Sequence, residues 1–312
     1  MYDSLNARST LPDEEAEQHL ARSPAFLDND GATDAKGWVR VQRRGMRIDY
    51  KPDSRELRVR GSLQTFAQGH NLGTFTAPQV HQACTDLAAY VGLPPDSLRI
   101  VGLEAGVNIP VATSPRPFLE SLASHKTAPF AATKPPHGAT RPLEYGAYHS
   151  DYWVKVYDKG KYSQLQGRSL PATGPPHLAR YEVVYRRARP LVQLTGLAQL
   201  TLADLPKPEV LAVVLADIQR HWNLIQHRHH MQDSDFDGLT FSEAALLAVA
   251  DNTAFWEAMR KKQAPSTYKR NRARAKELLA QRAEVNPYDD ALNKELARLE
   301  VPELSPKAKA QI

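Results

Sequence analysis

The sequence predicts an α+β fold, in which a mainly antiparallel sheet carries the active-site candidates and a helical C-terminal part follows it. Three observations support this. Segments 103–109 (LEAGVNI), 154–161 (VKVYDKGK) and 179–185 (ARYEVVY) are short β-forming runs, and each holds polar groups that a sheet does not bury without compensation. The stretch WVRVQRRGMRIDYKPDSRELRVRGS alternates with period two. From Pro190 onward, apolar residues recur at helical spacing almost without a break.

Taken in order, the alternating stretch predicts a hairpin around Pro52, Asp53 and Ser54, with Leu57 and Val59 inward and Arg58 and Arg60 outward. A helix follows over 76–91, with Val80, Ala83, Cys84, Leu87, Ala88 and Val91 on one face and Thr76 as its N-cap. LRIVGLEAGVNIPV is the next strand, and Pro115 to Ser124 reads as a short helix. Lys126 to Arg141 is a Pro-, Ala- and Thr-rich loop, and GRSLPATGPPH is a second loop between the last two strands. Helical turns are expected at Val192–Gly196 and Leu202–Leu205, with longer helices at Glu209–Gln226, Ser242–Lys262 and Tyr268–Ala283. Beyond Glu284, Leu292, Leu296 and Leu299 sit among alternating charges, as in a docking helix or a frayed tail.

Composition frames the chemistry. With 312 residues and 42% hydrophobic content, the chain is long enough to bury a real core. Cys84 is the single cysteine, so disulfides do not hold the fold together and a reducing compartment is expected. No stretch approaches the roughly 20 apolar residues of a membrane helix, and the N-terminus lacks the pattern of a secretion signal; the expected location is the cytoplasm. The net charge of +5 is polarised: the segment up to Lys36 is acidic, whereas Arg260 to Lys276 carries eight Lys and Arg residues and no acid. Such a run is either a solvated helix face or a strip that contacts nucleic-acid phosphates.

Side-chain alternation shows which groups can meet. Lys155 and Tyr157 share one face of their strand, and Arg180 and Glu182 share one face of theirs. If these strands are neighbours with their polar faces together, the four residues gather on one surface, and Glu104 can join them from the third strand. Carboxylates for a hard divalent cation, a hydroxyl nucleophile and cations for phosphate charge are the parts of a phosphoryl-transfer centre.

The stretches RGSLQTFAQGHNLGTFT, LRIVGLEAGVNIPV, YWVKVYDKGKY, LARYEVVYRR and LTLADL, in this order, resemble the rolling-circle replication initiators of plasmids and filamentous phages, the gene II-type and Rep_trans-like proteins. The resemblance implies an enzyme that nicks one strand of an origin with a tyrosine, stays joined to the 5′ phosphate and later rejoins the strand. It implies Tyr157 as nucleophile, Lys159 as a phosphate or leaving-group contact, and Glu104, Glu182 and Asp158 as ligands for Mg2+ or Mn2+. Tyr162 is the alternative nucleophile, because Lys161 and Tyr162 stand where many relatives have an acidic residue. The expected DNA contacts are Arg58, Arg60, Lys155, Arg180, Lys269, Arg270, Arg272 and Arg274, with origin or single-stranded DNA and a host helicase as partners. The corresponding division is an acidic N-terminal extension (1–36), a catalytic nicking-joining domain (37–226) and a helical basic C-terminal region (227–312). A non-catalytic origin-binding initiator and a metal-dependent hydrolytic nuclease are the alternatives.

Each choice has a plain structural counterpart. Tyr157 can be a half-buried strand tyrosine, and Glu104 and Glu182 can be ion-pair partners of arginines such as Arg58 and Arg180. HRHH at His227–His230 reads as a solvated helix C-terminus. The run from Asp233 through Asp235, Asp237 and Gly238 begins like a calcium loop, but its twelfth position is Ala244, with Glu243 one residue early; it reads as an Asp-rich turn. Trp222, Phe255 and Trp256 are expected in cores.

Overall fold

The first strand of the computed structural model, β1 (Tyr2–Thr10), lies inside its sheet and not at the rim. Alternation buries Leu5 and Ala7 on one side while Asn6 and Arg8 project from the other, and a register shift between Tyr2 and Leu5 brings Tyr2 to the buried side as well. The structure describes residues 1–27, 33–168, 176–228, 233–250, 252–282 and 287–299.

Helix α1 (Glu14–Ala21) begins at Asp13, whose carboxylate accepts from Ala16 N. Strands β2 (Val39–Arg43), β3 (Met46–Lys51) and β4 (Glu56–Ser62) form an antiparallel meander. Arg44 and Gly45, with φ of 51° and 77°, make the tight first turn, and a Cβ on Gly45 would sit 2.9 Å from Thr65 Cγ2. Helices α2 (Leu63–Gln68) and α3 (Ala77–Val91) follow. At the start of α3, Thr76 N donates to Gln79 Oε1 at 2.9 Å.

The chain continues through β5 (Arg99–Val111), α4 (Arg116–Ser121), β6 (Leu122–His125), β7 (Ala128–Pro129), β8 (Ala131–Ala132) and β9 (Glu144–Tyr148). Next come β10 (Tyr152–Asp158), α5 (Lys159–Leu165), β11 (His177–Tyr185), α6 (Arg189–Thr195), α7 (Pro208–Trp222) and β12 (Ile225–His227). Helices α8 (Phe241–Ala248), α9 (Thr253–Lys262), α10 (Pro265–Arg282) and α11 (Pro287–Ala297) complete the described elements.

The main sheet has the order β2-β3-β4-β1-β5-β11-β10-β9-β8, and its pairings are antiparallel throughout. A smaller sheet has the order β12-β6-β7. One face of the main sheet is apolar: Ile48, Leu57, Val59, Leu103, Val107, Val154, Val156, Tyr181 and Val183 join the core with Val80, Leu87 and Val91 of α3 and Val214 and Ile218 of α7. Tyr181 Oη donates to Ile218 O at 2.9 Å and ties β11 to α7.

The α+β class and the helical C-terminal part agree with expectation, and several local expectations change: the helix expected over 115–124 gives way to β6 at Leu122, and the loop expected over 126–141 holds β7 and β8. The segment expected as an acidic extension, 1–36, supplies a central strand, because the alternation of β1 matches β4 and β5 on both sides. The expected hairpin is two turns of a meander that β1 extends. The helix expected over 209–226 stops at Trp222, and 225–227 form a strand instead. The helix expected over 242–262 breaks before α9, where Asn252 caps the new start by accepting from Phe255 N at 2.9 Å.

Leu292, Leu296 and Leu299 are buried in the main core, so α11 is a docking helix; Ala77 N donates to Leu299 O, and Trp222 Nε1 donates to Asp289 Oδ1. Helices α8 to α10 bury Leu247, Trp256, Ala275 and Leu278 outside that core, as a small helical cluster of their own.

Candidate active site

The polar face of the sheet is organised by register. Three lateral rows cross its centre: Trp153, Val184 and Glu104; then Lys155, Glu182 and Gly106; then Tyr157, Arg180 and Asn108. Directly paired residues in an antiparallel sheet project to the same side, so Glu104, Lys155, Tyr157, Arg180 and Glu182 converge. Asp3 enters the same cluster from β1. Gly106 makes room in the middle row, because a Cβ there would lie 2.6 Å from Glu182 Cγ.

Glu182 is the hub and is fully buried. Its Oε1 accepts from Arg180 Nε and from Tyr157 Oη, the latter at 3.3 Å, and its Oε2 lies 2.7 Å from Lys155 Nζ. The same ammonium is 3.7 Å from Glu104. Arg180 extends the network to Asn108 Oδ1 at 2.8 Å and Asp3 Oδ2 at 2.9 Å. Asp3 also accepts from Ser62 Oγ and, at 2.9 Å, from Asn71 Nδ2. Lys159 Nζ donates to Asn71 Oδ1 at 2.7 Å. In its charged form the cluster sets three carboxylates against Arg180, Lys155 and Lys159, which makes burial of so much charge tolerable.

These contacts set the proton affinities. Burial and the neighbouring Glu182 charge push Glu104 up to about 7, against the pull of Lys155. Burial also opposes the charge on Glu182, but Lys155 and Arg180 outweigh it and hold this carboxyl well below its usual range. Burial followed by the Glu182 charge pushes the Tyr157 phenol well above 10. Burial and Arg180 bring the Lys159 ammonium down to about 8.

The structure thus brings together Glu104, Glu182, Lys155, Tyr157, Lys159 and Arg180. Asp158 is a correction to the ligand set: its carboxylate caps α5, accepting from Lys161 N at 2.8 Å, and as Tyr157's neighbour on the strand it points to the other face. Arg180 is a second correction, since at 2% exposure and with its donors committed inside the cluster it cannot meet a DNA backbone. Tyr162 lies on α5; it is half-buried, its ring edge-on to Tyr157 with centroids 6.1 Å apart. Among the basic residues of α10, Lys269 and Arg270 are exposed. Arg272 instead reaches Tyr268 Oη at 2.7 Å and lies over Trp256, and Arg274 pairs with Glu243 and Glu277. Arg58 and Arg60 are on the open sheet, paired with Glu56 and Asp49.

Asp3, Glu104 and Glu182 each offer a carboxylate oxygen within 4.8 Å of the others. This all-oxygen donor set fits Mg2+ or Mn2+. The Lys155 ammonium lies between Glu104 and Glu182, so a divalent cation competes with it for the same oxygens.

Sequence reasoning missed several members of the site. Asn108 was legible as the residue two turns of alternation beyond Glu104, on the same face. Asp3 and Asn71 carried no signal, because their place depends on β1 joining the sheet and on the 70–74 segment folding over it.

A second polar cluster, on the packed side, also went unseen. His149 Nε2 lies 2.8 Å from His125 Nδ1, and His125 Nε2 lies 3.0 Å from His221 Nδ1. His221 Nε2 then meets Asp217 at 3.4 Å and Arg220 at 3.1 Å, and Tyr185 Oη donates to Asp217 at 2.5 Å. The imidazoles come from three separated elements, which leaves no local motif.

The HRHH run does not end a helix: His227 belongs to β12, with Nδ1 2.9 Å from Ser121 Oγ, while His229 and His230 lie outside the described residues. In the calcium-like run, Asp233–Phe236 is a 3-10 turn, and Glu243 is committed to Thr240 at the start of α8 and to Arg274.

No protein-family model matches this sequence, and no curated protein matches it.

Proposed function

We propose that the polar face of the sheet is the centre of a DNA nicking and rejoining enzyme, a rolling-circle replication initiator that cuts one strand of a plasmid or phage origin through a tyrosine. The observation that carries this is the convergence of Tyr157, Glu104, Glu182, Lys155 and Lys159 from three neighbouring rows and the start of α5. The ordered resemblance of five sequence stretches supplies the biological context. A bound Mg2+ or Mn2+, held by Asp3, Glu104 and Glu182, would neutralise charge on the scissile phosphate.

In this scheme Tyr157 Oη forms a bond to phosphorus as the bond from phosphorus to O3′ breaks, leaving a 5′-phosphotyrosine and a free 3′ hydroxyl. The phenolic proton is lost to water, because Glu182, which accepts its hydrogen bond, is held too acidic by Lys155 and Arg180 to keep it. Lys159, with its ammonium near 8, supplies the proton that O3′ takes up. Rejoining reverses each transfer, and the phosphotyrosine preserves the energy of the original bond. Tyr157 is buried, so its phenol must leave Glu182 to reach a phosphate; Tyr162 is the more accessible hydroxyl and the rival nucleophile.

Covalency tests this. Incubation with a single-stranded origin oligonucleotide and Mn2+ or Mg2+ should give a denaturant-resistant protein–DNA adduct that Tyr157→Phe abolishes and Tyr162→Phe retains. The reverse pattern moves the nucleophile to Tyr162. Cutting without an adduct replaces the scheme with a hydrolytic nuclease, and binding without cutting replaces it with a non-catalytic initiator.

A further inference from the structure

The polar face does not end at Glu104. Register carries it across β1, β4, β3 and β2 in two rows: Arg8, Arg58, Asp49 and Arg40, then Asn6, Arg60, Arg47 and Gln42. Asn6 pairs with Gly102, which lies two residues from Glu104 on the same side of β5. The arginine rows and the acid–tyrosine cluster therefore share one face of the sheet, open at the arginines and partly open at Glu104 and Lys155, and buried at Glu182, Arg180 and Tyr157.

The five arginines are 31–47% exposed, whereas Asp49 beneath them is 4% exposed. Asp49 is paired with Arg40, Arg47 and Arg60, and Glu56 with Arg58 and Arg8. Burial opposes the Asp49 charge, but Arg60 and Arg47 outweigh it and keep the carboxyl below its ordinary range. With Asp34, which pairs with Arg40 at 2.7 Å, three acids thus hold five guanidiniums in place and leave an excess of positive charge. Each guanidinium has five N–H donors and spends only some on its acid, so the rest are available to an anion. Arg58 is further steadied over the Trp38 ring at 4.3 Å. On the far side of the cluster, Tyr148 and Trp153 pair with ring centroids 4.8 Å apart, and Tyr148 is 46% exposed.

We propose that this open sheet face is the binding platform for single-stranded nucleic acid, with phosphates on the arginine rows and bases stacked at the Tyr148–Trp153 end. Charge complementarity selects a polyanion, and the aromatic pair, exposed at Tyr148 and half-buried at Trp153, selects unpaired bases, whose faces a duplex hides. The proposal rests on the reading of the adjacent cluster as a strand-cutting centre, since it runs the strand past Glu104 towards Tyr157.

The test is an anisotropy titration of a labelled, unstructured oligodeoxynucleotide of about 20 nucleotides, in EDTA so that no cutting occurs, over a range of salt. Arg47→Gln with Arg60→Gln removes two charges while keeping donors for Asp49. The expected result is binding weakened about tenfold or more, and a log K against log salt slope shallower by about 1.4, at roughly 0.7 per lost phosphate contact. Trp153→Ala should weaken single-strand binding about 5-fold to 100-fold. If the double variant melts early, Arg8→Ala with Arg40→Ala, the two most exposed of the five, should give the same change in slope. Unchanged binding in the arginine variants, with loss in Lys269→Ala/Arg270→Ala, would move the platform to α10 and overturn the proposal, as would tighter binding of duplex than of single strand. Because EDTA separates binding from chemistry, a platform that survives with no adduct ever forming refutes the cutting scheme alone.

Discussion

The two faces of the central sheet solve the same problem in opposite ways. On the open face, buried carboxylates are balanced by Arg180, Lys155 and Lys159, of which Arg180 keeps its charge at every accessible pH. On the packed face, Asp217 is balanced by Arg220 and Tyr185 and extended by the imidazoles of buried His221 and His125, which must stay neutral to stay buried, and of half-buried His149. Each neutral imidazole offers one N–H and one lone pair, so the chain from His149 to His221 can run head to tail. Fixed charge gives a cluster that is costly to break and that mild acid does not weaken, since its near-neutral acid Glu104 is stabilising when protonated; neutral imidazoles give one that acid can break. The proposed phosphate chemistry would call for a site of the first kind.

The largest way to break the comparison is to remove the hub of the open face. Glu182→Ala leaves Arg180 and Lys155 buried with only Asp3, Glu104 and Asn108 to answer them, and loss of one partner from a buried charged pair costs about 3–5 kcal/mol. Urea unfolding should show a fall of that size, with Glu182→Gln in between because it still accepts from Arg180 and Tyr157. A loss below about 1 kcal/mol in Glu182→Ala would mean that the cluster is solvated and not a charge-holding site.

Proton linkage comes next, and its sign differs between the faces. His125 is fully buried, and burial, followed by His221, His149, Lys126 and Arg220, brings it down to about 3; His149 and His221 shift the same way. A lowered folded value means that the unfolded chain binds the proton first, so stability is full above about 6.5 and falls as pH drops towards 3. Between pH 7.5 and 5 this amounts to about 2 kcal/mol for His125, at about 1.4 kcal/mol per unit. Glu104 runs the other way: raised to about 7, it takes a proton in the folded state first, so its contribution is present at low pH and is lost as pH rises through 7. The wild-type profile is the difference of the two. Thermal melts should show His125→Asn gaining stability on going from pH 7.5 to 5, and Glu104→Gln losing more than wild type over the same interval. Parallel profiles in all three would remove the distinction between the faces.

How much of this was legible in the sequence follows from how local each signal was. Period-two alternation placed Tyr157 with Lys155 and Arg180 with Glu182, because a strand fixes which of its residues share a side. It could not order the strands, and so could not show that β1 separates the meander from β5. Without that, Asp3 was invisible as a partner of Arg180, and the arginines of β3 and β4 could not be joined to the cluster. Arg180 was misjudged because its type favours phosphates in general, whereas its central row surrounds it with Asp3, Asn108 and Glu182. The helices were visible from their apolar spacing, but their ends at Trp222 and Ala248 depend on tertiary contacts that no window of sequence contains.

The finest comparison makes one substitution on each face. Tyr157→Phe and Tyr185→Phe both remove a buried hydroxyl that donates to a carboxylate, and neither opens a cavity. Tyr157 donates at 3.3 Å to a carboxylate already held by Arg180 and Lys155, so its loss should cost no more than about 0.5–1 kcal/mol. Tyr185 donates at 2.5 Å to Asp217, where Arg220 and His221 share the other contacts, and its loss should cost about 1.5–3 kcal/mol, as for hydrogen bonds to charged groups. Measured by urea unfolding at pH 7, the order Tyr185 above Tyr157 means that the open-face phenol is held loosely enough to leave Glu182 for a substrate. The opposite order would make Tyr157 a structural member of its cluster and pass the nucleophile's role to Tyr162.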